Sequence, residues 1–165
     1  MLYYSNHDEE LEGAMDRNGE LVLEVFRALE NRDPERFLAL HHENVEYDWP
    51  GALPYGGTLQ GIATLQRRLE TEPEKTWLGT WGPLQPTEQE RRMDPRVVSS
   101  NGREVVVLYR QRALSPDGER FDEPVLGLYE VRDGKFARAQ MFHFDTAGIL
   151  EFLGHARGSN AELAT

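Results

Sequence analysis

The chain has 165 residues, long enough for one domain with a core of its own and short for two. Its 18 Lys and Arg stand against 29 Asp and Glu, a formal net charge of −11, and a surface that acidic excludes nucleic acid as a partner. No Cys is present, which excludes disulfides, thiolate catalysis and cysteine-ligated zinc and leaves carboxylate, imidazole, phenol and backbone for any chemistry.

Residues 1–16 are acidic, with Leu2, Tyr3 and Tyr4 as their apolar cluster, and read as an N-terminal arm or an extra helix. MLYYSNHDEELEGAM lacks a basic start followed by an apolar run, and nowhere do about 18 apolar residues follow one another as a membrane span needs. The expectation is a cytoplasmic protein with no membrane partner. From 17 to 31, Val22, Val25, Phe26 and Leu29 recur at helical spacing with charged residues between them, which predicts an amphipathic helix. Asp33 as N-cap and Pro34 at the first helical position predict a second, short helix over RDPERFLALHH. Val45, Tyr47 and Trp49 alternate with Glu46 and Asp48 as in a half-buried strand, which Pro50 and Gly51 end. Ile62, Leu65 and Leu69 mark a third helix.

Strands are expected from residue 76 onward, the clearest being 103–114, 121–131 and 135–144, with shorter ones over 76–81, 88–93 and 96–100. Asp133-Gly134 is a strong hairpin signal, because both central positions of that turn need positive φ. TAGILEFL closes the fold as a helix, and 154–165 reads as a flexible tail. Helices first and antiparallel strands afterwards predict an α+β fold: a curved, mostly antiparallel sheet packed on about three helices of the N-terminal half, with a short C-terminal helix. Such a sheet encloses a cone-shaped hollow that suits a small ligand.

Two blocks give this pattern a family. The first holds Tyr47, Asp48, Pro50, Gly51, Gly56, Gly57 and Gly61, an aromatic and a polar residue before Pro-Gly and a later Gly-rich turn into a helix. The second holds Asp122, Pro124, the turn Arg132 to Lys135, and Asp145-Thr146-Ala147. With the order of elements over 17–153, they make the chain resemble the SnoaL-like polyketide cyclases and ketosteroid-isomerase-related proteins of the NTF2-like superfamily. The resemblance implies an α+β cone, commonly a homodimer, whose pocket handles hydrophobic ring compounds by proton transfer next to a carbonyl, without a cofactor. It also implies acid/base residues on the last two long strands, often a His and an Asp. Here Gly127 stands at the first position, and the second falls at or beside Gln140.

Pairing the hairpin outward from Asp133-Gly134 without a bulge sets Gly127 opposite Gln140, Leu126 opposite Met141 and Pro124 opposite His143. His143 and Asp145 then share a face with Asp122, while Tyr129, Gln140 and Phe142 share the other; one bulge exchanges the faces. Asp145 reads first as the N-cap of the closing helix, accepting from Ala147 or Gly148, with Phe144 and Ile149 at the spacing of a hydrophobic staple.

The candidate catalytic residues are His143, Asp48 and Tyr47. His143 is either a part-buried imidazole bonded to Asp122 or Asp145, or a general base tuned by a neighbouring carboxylate. Asp48 lies beside the strand position where the isomerases place their proton-shuttling carboxylate, and is otherwise a surface group. Tyr47, if it points inward, donates to a substrate oxygen, as the phenol does in the oxyanion hole of ketosteroid isomerase, a known worked case. Trp49, Trp77, Trp81, Tyr109, Tyr129, Gln140 and Phe142 are expected to line the ligand site, with core packing as the alternative for each aromatic singly. His41 and His42 are adjacent, and adjacent helix residues point about 100° apart, so no metal site is expected. Two functions stay open: a cofactor-free isomerase, cyclase or lyase, or a non-catalytic ligand-binding or dimer-assembly module.

Overall fold

The computed structural model describes residues 6–163, with side chains described over 17–158; Leu2, Tyr3 and Tyr4 lie outside them. The long helix α1 (Asn6–Glu30) buries Val22, Val25 and Phe26, the stripe that its periodicity predicts. Its end turns sharply at Arg32, a non-glycine residue at φ 54°, where the N–H groups of Arg32 and Asp33 reach back to the carbonyls of Leu29 and Ala28. Helix α2 (Pro34–Leu40) follows with Pro34 at its first position and the Asp33 side chain accepting from the Arg36 N–H. Strand β1 (His41–Trp49) takes over at once, so the two histidines expected at the end of the helix sit on a strand instead.

After the Pro50 to Gly56 loop come β2 (Gly57–Gln60) and α3 (Ile62–Thr71). The next two segments correct the sequence reading. Residues expected as a strand at 76–81 form α4 (Trp77–Trp81), capped by Thr76, whose hydroxyl accepts from the Gly79 N–H. Those expected as a strand at 88–93 include α5 (Glu88–Arg91), started by a reciprocal capping box between Thr87 and Glu90. Strands β3 (Arg96–Ser100), β4 (Glu104–Leu114), β5 (Arg120–Arg132) and β6 (Lys135–His143) complete a sheet of order β2-β1-β6-β5-β4-β3. Its pairings are antiparallel except β1 with β6. Helix α6 (Thr146–Leu163) runs on through the segment expected as a loose tail.

Asp145 caps α6, accepting from the Gly148 N–H at 2.9 Å as the sequence suggests, but Phe144 is 86 % exposed and forms no staple with the buried Ile149. One face of the sheet is covered by α1, α3 and the α4 region. Along β4 it carries Val105, Val107, Tyr109, Gln111 and Ala113, all buried, while Val106, Leu108, Arg110 and Arg112 point the other way. Among the described residues no helix is long and apolar enough to cross a membrane.

The β5–β6 hairpin pairs Arg132 with Lys135 and Val131 with Phe136, then slips by one: Glu130 faces Arg138, Gly127 faces Met141, and Val125 faces His143. The extra residue is Ala137, and this bulge exchanges the faces expected from simple pairing. Glu123, Val125, Gly127, Tyr129, Met141 and His143 lie inside, whereas Asp122, Leu126, Leu128, Arg138, Gln140 and Phe142 lie outside.

Candidate functional site

The inner face encloses a cavity of about 320 Å³ between the sheet and the helices α1 to α3. Alternation along the strands presents Tyr47 and Trp49 from β1, Tyr109 from β4, Tyr129 from β5 and Met141 from β6 to it. Phe26 and Leu29 of α1, Phe37 of α2, Leu65 of α3 and Trp77 of α4 close the other side. The wall is nearly all carbon, and its polarity is confined to a few atoms whose partners can be traced.

His41, buried at the start of β1, places Nδ1 2.6 Å from the Phe37 carbonyl oxygen and Nε2 2.5 Å from the Tyr47 hydroxyl. A carbonyl can only accept, so Nδ1 carries the proton, Nε2 accepts, and the Tyr47 O–H donates away from the cavity. Burial, opposed by the Phe37 hydrogen bond, lowers the His41 pKa to about 4. The same burial, with Tyr109 nearby, pushes the Tyr47 phenol well above its ordinary value. The Tyr47 proton, expected from the sequence to point inward, is thus held by His41, and the hydroxyl oxygen keeps a lone pair free.

The Tyr109 and Tyr129 phenols share the inner face close enough to influence each other, and both are raised chiefly by burial. The two phenols can engage at most one O–H with each other, which leaves the other to donate. Tyr129 reaches this position because its ring folds back over Gly127, where an added Cβ would lie 2.0 Å from the phenol oxygen. Trp77 has its indole N–H committed to Oε1 of Gln111 at 2.9 Å. Arg32 stands on the cavity wall, and so do Asp33, which caps α2, and Lys75, which pairs with Glu72.

The other expected site residues fall elsewhere. Asp48 is on the outer face, paired with Arg138 at 3.3 Å and accepting from the Thr58 hydroxyl at 2.6 Å. Gln140 and Phe142 are also outside, Phe142 48 % exposed, because of the bulge at Ala137. Trp81 is fully buried in a separate cluster with Phe121 and Phe152, its N–H donating to the Tyr55 hydroxyl at 2.9 Å. His143 faces inward but lies beyond the cavity wall, and Asp122, one expected partner, is held outside by Arg110 and Arg112. Both His143 ring nitrogens are buried and unbonded, and burial lowers its pKa to about 4. Glu123 lies on the same inner face, two positions before the Val125 that pairs with His143, with Oε2 also buried and unbonded. Burial, then the charge of Asp145, holds its carboxyl above the usual range.

The sequence reading missed His41, Arg32 and Glu123. His41 is in phase with Val45, Tyr47 and Trp49, a signal masked by reading the strand from residue 45. Neighbours on a strand point to opposite faces, so His42 turns away toward Asp133, 3.7 Å off. Among the described residues no group of three or more His, Asp or Glu side chains is arranged to hold a metal ion.

Comparisons with known proteins agree with this architecture. The family model of the SnoaL-like domain matches residues 22–139. Among solved structures, TerC co-crystallised with polyporic acid is 26 % identical, with a TM-score of 0.67, covering 84 % of this chain and 98 % of that one. An NTF2-like protein from Burkholderia xenovorans is 20 % identical, TM-score 0.57, covering 83 % and 95 %. SalBIII, an epoxide hydrolase/cyclase-like enzyme with a role in pyran ring formation in the polyether salinomycin, is 17 % identical, TM-score 0.56, covering 79 % and 92 %. No curated protein sequence matches. With its matched span, sheet order and enclosed inner face, the chain belongs to the SnoaL-like domain family and has the NTF2-like fold.

Proposed function

We propose that this protein binds one small, flat, mainly apolar ring compound in the inner cavity, orienting it by a hydroxyl against Tyr47 and a carbonyl against the Tyr109–Tyr129 pair. The observation that carries this reading is the combination of carbon walls with a fixed acceptor and a spare phenol donor. An apolar body gains about 25 cal/mol per Å² on burial, and two placed polar atoms set its orientation. TerC, the 26 % identical neighbour, was crystallised with polyporic acid, which makes that compound the first probe. Thermal-shift measurements with polyporic acid, steroids, terpenes and polyketide fragments should raise the melting temperature for at least one of them. Met141→Trp, which fills the cavity, should abolish that shift, and a shift that survives it would place binding elsewhere and end the reading.

A second reading, proton-transfer catalysis, is favoured by one observation: His143 and Glu123 both face inward from adjoining strands, each with buried side-chain atoms that have no hydrogen-bond partner. In that reading His143 is the general base and Glu123 tunes it. Turnover of any compound that binds, lost in His143→Ala while its affinity is kept, is the result required; unchanged turnover sinks it. We further propose a homodimer formed through the outer face of the sheet, where Leu126 and Phe142 are exposed side by side.

A further inference from the structure

We infer that Arg32, backed by Arg91, forms an anion-binding subsite on the cavity wall, so that the ring compound taken by this cavity carries an ionised acidic group. The inference rests on the reading of the cavity as a ligand site and adds the ligand's charge to it. Arg32 is half-buried, and its guanidinium donates to the Leu29 carbonyl at 3.4 Å and to Oε1 of Gln85, a neutral amide. Gln85 is itself buried and fixed, with Nε2 donating to the Arg112 carbonyl at 2.9 Å. A guanidinium has five N–H donors, so these two contacts leave most of the fork unused.

Among the described residues Arg32 takes part in no ion pair. The same holds for Arg91, whose Nε is buried without a partner and whose charge opposes that of Arg32. In a chain with 29 acidic residues against 18 basic ones, two neighbouring half-buried guanidiniums without a carboxylate are an arrangement that packing alone disfavours. Asp33 shares the cavity wall, but its carboxylate forms no ion pair with Arg32 and is exposed and engaged at the α2 N-terminus.

Backbone conformation points the same way. Arg32 occupies a left-handed position at the end of α1, where glycine fits without strain. A long cationic side chain at that turn stands on the wall of the apolar cavity. A carboxylate, sulfonate or ionised enol held there meets a bidentate donor in a site of low polarity, where charge-assisted hydrogen bonds are strong.

The test uses two fluorescent probes of nearly one shape, 8-anilinonaphthalene-1-sulfonate and its neutral parent N-phenyl-1-naphthylamine, titrated against the whole chain. Each should displace the other, and the sulfonate should bind about tenfold or more tightly, as expected for one charge-assisted pair. Arg32→Met should remove that preference while leaving the neutral probe within about twofold of its original affinity. Arg91→Met, which leaves the cavity wall intact, should weaken the sulfonate a few-fold and leave the neutral probe unchanged; it decides the matter if Arg32→Met fails to fold. A sulfonate preference that survives these substitutions, a parallel loss of both probes, or probes that do not compete would overturn the subsite. Binding of the neutral probe alone defeats the subsite and leaves the cavity reading standing. Failure of both probes to bind defeats the two together.

Discussion

The two inner-face histidines have nearly the same burial-driven pKa and opposite bonding, and this separates what each does for stability. His41 satisfies the Phe37 carbonyl and the Tyr47 hydroxyl, so His41→Leu should cost about 2 to 6 kcal/mol at pH 7, since each stranded buried group costs about 1 to 3. His143 satisfies nothing, and His143→Leu should be neutral or stabilising in the same urea titration. Folded-state values near 4 lie below the ordinary 6.5, so between them the unfolded chain takes up protons that the folded chain refuses. This part of the stability is complete above pH 6.5 and falls toward pH 4, by up to about 1.4 kcal/mol per pH unit for each histidine. Glu123, held above its ordinary range, acts in the opposite sense lower in that window. His143→Leu should flatten the decline by one histidine's share; a slope identical to that of the parent chain would refute the burial argument. Gly127 poses a steric question instead. An added methyl meets both the phenol oxygen and the ring of Tyr129, so Gly127→Ala should destabilise by about 1 to 3 kcal/mol and lower ligand affinity with it. Wild-type affinity in Gly127→Ala would show that the Tyr129 placement is dispensable.

At the scale of elements, the sequence signals that worked are those in which one periodicity spans a long run. The stripe Val22, Val25, Phe26 of α1 and the alternation of β4 are each fixed by burial on one side, so pattern and structure coincide. Alternation also accounts for four aromatic side chains on the cavity wall, Tyr47, Trp49, Tyr109 and Tyr129, whereas Trp77 gets there from a helix. The short pieces failed because five or six residues hold too few repeats to separate the two periods. TWLGTW reads as a strand, yet Trp77, Leu78 and Trp81 stand at helical spacing and Thr76 is an N-cap. EQERRM likewise hides its capping signal in Thr87 and Glu90. The faces of β6 were illegible because one extra residue, Ala137, reverses them, and nothing in KFARAQ announces a bulge. Arg32 escaped notice because a cation after a helix is ordinary, and only the enclosed cavity makes it unusual. The α5 cap is worth testing for what it holds: Glu90, buried, accepts from Thr87 and from Arg120 at 3.2 Å. Thr87→Ala should lower stability by about 1 kcal/mol in thermal or urea unfolding. No measurable change would mean that α5 is held by its packing alone.

For the whole molecule, the two faces of the sheet are built from different material. Inside, aromatic rings and helices close over the cavity; outside, charges are organised at the margins and carbon lies bare between them. Arg138 sits among Glu46, Asp48 and Glu130 on one side, and Arg110, Arg112, Asp94 and Asp122 interlock on the other. Between these groups the strand register lines up Leu108, Leu126 and Phe142 across β4, β5 and β6, with Leu126 40 % and Phe142 48 % exposed. A net charge of −11 keeps copies of the chain apart at long range, so a contact that forms must come from short-range apolar burial of this row. A two-fold arrangement brings the row of one copy against the same row of its partner and leaves the charged flanks to set the register. Sedimentation or light scattering at micromolar concentration should therefore report a dimer. Phe142→Glu, placing two like charges at the centre of the contact, should return a monomer with the same far-ultraviolet circular dichroism. Since Phe142 faces away from the cavity, that monomer should still bind the ring compound. A monomeric parent chain, or a dimer indifferent to Phe142→Glu, would assign the bare row to another role.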